Sequence, residues 1–189
     1  MQAGIFNIGI SGQMLISGFV ATVIVGYSRE MSPYLAKPLV ALIGIVVGAL
    51  AGGLIGFLKI KFNINEVVSS IMLNYIFQYV ISFFINTKYV DPVTRQSRNI
   101  GANARLTLMQ VEIADYKMRI PIFFIVAILI AIVMYFFMKR TDQGLEISVI
   151  GFNRDAALYA GINVKSRMLY VMLISGGLAG LAGVTYYLG

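Results

Sequence analysis

The side chains able to do chemistry in this sequence are amides and hydroxyls embedded in apolar surroundings. Glu66, Ser70, Asn74, Gln78 and Ser82 recur every four residues. Four residues overshoot a 3.6-residue turn by ~40°, so the five wind as a slow polar stripe along one helix. Asn74 and Gln78 each present a donor and an acceptor without charge, suited to a sugar hydroxyl or a base edge. Facing lipid, such groups cost on the order of a kcal/mol each or more, so the stripe faces protein or water. It serves either a solute path or interhelical hydrogen bonding. A second polar group, Asn7, Ser11 and Gln13, alternates with Gly9 and Gly12 in an apolar context. Irregular polar backbone at membrane depth survives only against protein or a water-filled cavity. Residues 1–13 are therefore a candidate stretch of pathway wall, with a frayed span entrance packed on a neighbour as the alternative.

Other chemistries lack their reagents. There is no Cys and no His, which removes disulfides, thiolates, haem ligation and the commonest zinc ligand. No Gly-rich phosphate loop ending in Lys-Ser or Lys-Thr occurs, so the chain does not itself use ATP. Glu66 is the only carboxylate at the edge of an apolar run and none lies inside one. That is poor equipment for ion-coupled transport or for an acid, base or nucleophile at depth. A secondary transporter or passive facilitator of small polar solutes is the alternative function, and an intramembrane enzyme a remote one.

The elements that must position these groups are membrane helices. The chain is 59% hydrophobic and 12% charged, with a mean hydropathy of +0.83, far more apolar than a soluble domain. Apolar runs at 8–26, 39–58, 67–85, 120–138 and 170–188 each approach the ~20 residues of a helical crossing. The expected fold is all-α and polytopic, with about five transmembrane helices in a single domain over 1–189. Its net charge of +7 then reflects loops facing anionic lipid rather than nucleic acid. Gly44, Gly48, Gly52 and Gly56 line one face of the second span, and Gly176 with Gly180 and Ala179 with Gly183 repeat the pattern in the fifth, so close helix packing is expected at both.

Two long intervals lie outside the spans. In 86–119 turn residues abound, a short helix is expected from Leu106 to Ile113, and Pro121 fits the first turn of the fourth span. The interval 139–167 reads as two short helices, with Thr141 or Asp142 capping the first, Asn153 capping the second, Asp155 in its first turn and Gly161 ending it in a left-handed cap. Its length and helical punctuation mark a docking element. Lys and Arg number seven on the side holding 139–167 and eight on the other, so charge alone leaves orientation nearly tied.

The order Gly151-x-Asn153-x-x-Ala156-Ala157-x-x-x-Gly161-Ile162, followed by Ser175-Gly176-Gly177-Leu178-Ala179-Gly180-Leu181-Ala182-Gly183, resembles permease subunits of bacterial ABC importers. The likeness is to the branch for nucleosides, simple sugars and branched-chain amino acids. Phe6-Asn7-Ile8-Gly9-Ile10-x-Gly12-Gln13-Met14-Leu15 is similar to a second signature of these permeases, which usually carry Glu where this chain has Ser11. The stretch from Asn65 to Ile76 resembles the nucleoside branch.

The resemblance implies that 139–167 is a cytoplasmic coupling region, with Gly144, Gly151, Asn153, Asp155, Ala156, Ala157 and Gly161 seating in an ATP-binding subunit. ATP and Mg then belong to that partner, and no cofactor to this chain. It also implies a second permease subunit, identical or homologous, and an extracellular substrate-binding lipoprotein that Arg95, Arg98 and Arg105 of the outer loop 86–119 meet. The chain would sit in the bacterial inner membrane as the middle of a permease roughly twice its length. Asn7, Ser11, Gln13, Ser70, Asn74 and Gln78 are the expected substrate path.

Overall fold

The computed structural model describes residues 4–27, 32–89, 107–113, 116–121 and 123–188. Each of the five apolar runs contains a helix. Helix α1 (Ile10–Ala21) continues into a π turn (Thr22–Gly26), and α2 covers Pro33–Phe62. Helix α3 (Glu66–Phe84) likewise ends in a π turn (Ile85–Tyr89); α4 is Phe123–Arg140 and α7 is Val164–Leu188. Between the last two lie the short α5 (Asp142–Phe152) and α6 (Arg154–Tyr159). Among the described residues, Tyr34–Phe62, Glu66–Tyr89 and Val164–Leu188 are long and apolar enough to cross a membrane.

The core is the antiparallel contact of α2 with α7. A Cβ on Gly48 would stand 2.6 Å from the Cα of Gly180, and one on Gly52 would stand 2.8 Å from the Cα of Gly176. Neither distance is physical, so the two backbones meet with no side chain between them. The glycines expected to pack in the second and fifth spans thus pack on each other. Helix α1 lies parallel to α7 and makes a second close approach, a Cβ on Gly183 falling 2.6 Å from the Cα of Met14. There the fully buried Ser17 hydroxyl lies 3.1 Å from the Gly180 carbonyl and 2.7 Å from that of Gln13.

Ala21, Val25, Ala36, Val40, Val184 and Leu188 close the apolar cluster at one end of this three-helix core. Helix α3 runs alongside α1, with Tyr89 stacked on Tyr27 at 5.4 Å and edge-on to Phe19 at 6.0 Å. Helix α4 reaches the cluster through Val126 and Ile130. It meets α7 again where Phe137 and Tyr170 place their rings 6.4 Å apart, and elsewhere an apolar cleft of about 870 Å³ separates the two helices.

The loop before α4 departs from expectation. Where a short helix was expected from Leu106 to Ile113, strand β1 (Thr107–Ile113) pairs antiparallel with β2 (Tyr116–Pro121), in a register that sets Gln110 against Arg119 and Glu112 against Lys117. Val111, Ile113, Tyr116 and Ile120 supply the β-branched and aromatic content that favours strands, and a nearby partner strand settles what a lone segment could not. Pro121 accordingly ends β2 rather than starting α4; lacking an N–H, it is tolerated at a strand end on an edge. This hairpin is the only strand structure among the described residues of an otherwise all-α fold. Arg95, Arg98 and Arg105 lie outside the described residues.

Gly48→Leu is expected to force α2 from α7 and destabilise the folded chain by about 1–3 kcal/mol or more. Gly177→Ala, whose Cβ would meet its nearest atoms at an ordinary 3.5 Å, is expected to be tolerated. Thermal unfolding of the two variants in detergent checks the contrast.

Candidate coupling and solute-path site

The interval between α4 and α7 folds by its capping residues. Thr141 accepts the Gly144 N–H at 3.1 Å to start α5, with Asp142 in the first turn. Asn153 Oδ1 accepts the N–H groups of Asp155 at 3.0 Å and Ala156 at 3.1 Å to start α6. Gly161 then takes φ +78°. The Ile162 N–H reaches the Ala157 carbonyl and the Gly161 N–H that of Leu158, both at 3.0 Å, a complete Schellman closure. Ala157, fully buried, sits over Ile150, Val164 and Met168, with Ile162 packed against the same cluster.

This geometry sorts the expected coupling residues. Gly144 is buried against the end of α4, where a Cβ would lie 2.7 Å from the Cα of Met138, and Ala157 faces inward, so both serve packing. Gly151 is half-buried; Asn153, Asp155, Ala156 and Gly161 are exposed. Beside them the structure places Phe152 at 93%, Tyr159 at 94% and Leu158 at 57% exposure, a patch that motif reading passed over. Its signal was available: large apolar side chains in a polar interval outside the spans. Also unforeseen is the ion pair of Arg167 Nε with Glu146 Oε2 at 2.5 Å, which ties α5 to α7. Arg154 donates to the Met168 sulfur at 3.1 Å across the same junction.

The path candidates converge only in part. Residues 5–8 are not helical, and Asn7 places its amide between α1 and α7. Its Nδ2 donates to Gln13 Oε1 at 3.0 Å and to Ser175 Oγ at 2.8 Å, while its Oδ1 accepts the Gly9 N–H at 3.0 Å. Gln13 is fully buried and returns a bond to Asn7 Oδ1 at 3.2 Å. From α3, Asn74 accepts the Gly12 N–H at 2.9 Å and donates to the Ile8 carbonyl at 3.1 Å. It satisfies one of the orphan donors in the first turn of α1, as an N-cap supplied by another helix. Ser175 lies eleven residues into α7, ~16 Å along it, and five residues inside the apolar run 170–188.

Ser70, buried, donates to the Glu66 carbonyl of its own helix at 2.6 Å. Ser11 and Gln78 stay exposed on α1 and α3. The structure thus brings Asn7, Gln13 and Asn74 together at the start of α1, with Ser175 of α7 bonded to Asn7, and leaves Ser11 and Gln78 exposed. Every buried side-chain nitrogen and oxygen among the described residues has a partner.

The family described as "Branched-chain amino acid transport system / permease component" matches residues 1–189. The chain belongs to that permease family. This permease chain is 35% identical over its full length to the guanosine ABC transporter permease protein NupP of Bacillus subtilis, covering 53% of that protein. It is 36% identical over 195 aligned residues to the nucleoside ABC transporter permease protein NupB of Lactococcus lactis, again 100% of this chain and 53% of the relative. To the glucose ABC transporter permease protein TsgB13 of Haloferax volcanii it is 28% identical, over 97% of this chain and 50% of the relative. The permease chain therefore spans about half the length of these relatives. No solved structure matches it.

Asn153→Ala removes both bonds that start α6 and is expected to cost about 0.5–2 kcal/mol of local stability. Hydrogen exchange should accelerate at the Asp155 and Ala156 amides while the middle of α7 is unchanged.

Proposed function

We propose that the permease chain forms part of the translocation path of an ATP-binding cassette importer for a small polar solute, a nucleoside or simple sugar, in the bacterial inner membrane. The observation that carries this reading is the α5–α6 pair. Caps and a Schellman closure fix it, Ala157 and the Glu146/Arg167 ion pair root it on α7, and its far side offers Phe152, Leu158 and Tyr159 to a partner. Exposed aromatic side chains outside the apolar helices are what an interface anchors on. The partner is a separate ATP-binding subunit, which holds ATP and Mg and whose closure moves α5 and α6. A second permease subunit and a substrate-binding lipoprotein outside the membrane complete the assembly.

The names of the relatives, covering guanosine, nucleosides and glucose, support the solute class. So does the chemistry of the open groups: a hydroxyl on Ser11 and an amide on Gln78 recognise neutral polar cargo. Glu66, the carboxylate at the start of α3, is ion-paired with Lys59 across the α2–α3 turn, which leaves it ill-suited to carrying a coupling ion.

In the assembled transporter, Phe152→Ala with Tyr159→Ala is expected to lower retention of the ATP-binding subunit by about 30-fold or more, the scale of losing a hot spot of ~2 kcal/mol. Retention equal to wild type overturns docking at α5–α6. Gln78→Leu is expected to raise the solute concentration for half-maximal uptake by about tenfold, the loss of one hydrogen bond to a neutral group, with the ATP-binding subunit still retained. Unchanged uptake removes Gln78 from the path.

A further inference from the structure

Residues 4–9 join the coupling helices to the polar node by a route separate from α7. Gly4, at φ +62°, lies backbone to backbone on α5, since a Cβ on it would stand 3.3 Å from the Cα of Gly151. Ile5 packs in two apolar clusters at once, that of Ile150, Ala157 and Met168 beneath α6 and that of Ile55, Leu73 and Met172 among the spans. Two residues further on, Asn7 holds Gln13 and Ser175, and Asn74 clasps the Ile8 carbonyl from α3. A non-helical stretch has no ladder of its own, so each of these anchors belongs to another part of the fold. Displacement of the end of α5 is therefore imposed on the node where α1 begins.

The node suits two arrangements. It consists of neutral amides, a hydroxyl and backbone groups, which exchange donors and acceptors without separating charge. The glycine seam between α2 and α7 has no such alternative, because its backbones are already in contact. We infer that residues 4–9 are a strap that carries movement of the coupling helices to the start of α1, switching the hydrogen bonds of the Asn7 node between two states. The inference rests on the coupling reading above.

These 189 residues contain no cysteine, so within them Ser175→Cys places one reporter at the node, read on the peptide that carries position 175. In the assembled full-length transporter, its alkylation rate by N-ethylmaleimide is compared without nucleotide and after trapping with ATP and vanadate, reading the label on this chain by mass. The two rates are expected to differ by about tenfold or more, since a minor state is populated at ~10% or less before it is selected. Adding Ile5→Gly, which loosens the strap, is expected to abolish that difference while the ATP-binding subunit remains bound. Equal rates in the two nucleotide states overturn the strap, and need no second variant to do so. A difference that survives Ile5→Gly with the subunit bound also overturns it and leaves docking at α5–α6 intact. Failure of the ATP-binding subunit to associate with the unsubstituted chain overturns the coupling reading, and the strap with it.

Discussion

Direct backbone contact between α2 and α7 is the constraint on which the rest of the structure depends. In a bilayer there is no hydrophobic force to press helices together, so association rests on close packing and on polar contacts. Gly48 and Gly52 against Gly176 and Gly180 give the closest packing a helix pair can reach. That seam sets the position of α7, and α7 in turn carries Ser175 to Asn7 and supplies Val164 and Met168 beneath α6. The polar node and the α5–α6 pair therefore share one rigid strut.

The second requirement follows from the non-helical stretch at residues 5–8 that leads into α1. The chain before α1 has carbonyls and N–H groups without helical partners of their own. Asn7 takes the Gly9 N–H while Gln13 and Ser175 hold its amide, and Asn74 of α3 spends both its acceptor and its donor on backbone, the Gly12 N–H of α1 and the Ile8 carbonyl just before it. The polar stripe of α3 thus divides along its length. Asn74 binds a neighbouring helix, and Gln78, one turn further, remains open.

At the other end of α7, polar capping and apolar exposure occur side by side. The caps at Thr141 and Asn153 and the turn at Gly161 hold two short helices that are below the length at which isolated helices persist. Burial of Ala157 and the Glu146/Arg167 pair anchor them from below. What they hold up is Phe152 and Tyr159, almost wholly exposed, with Leu158 more than half exposed beside Tyr159. In the function proposed above that surface is buried against a partner, and the proposed strap from Gly4 to Asn7 links the element to the start of α1.

The amino-acid order by itself determined the helices and their punctuation. Apolar runs of bilayer length, the four-residue glycine spacing, Thr141, Asn153 and Gly161 act within a few residues of themselves, and local forces are legible in one dimension. It also carried the family, through motifs at 151–162 and 175–183. Only the tertiary structure decided which glycine face met which, that Asn74 serves α1 while Gln78 does not, and that Glu146 reaches Arg167. Partners far apart in sequence leave no periodic trace. The hairpin at 107–121 belongs with these: strand or helix in a short apolar segment depends on whether a second strand lies beside it, and that is settled by pairing and not by the segment alone.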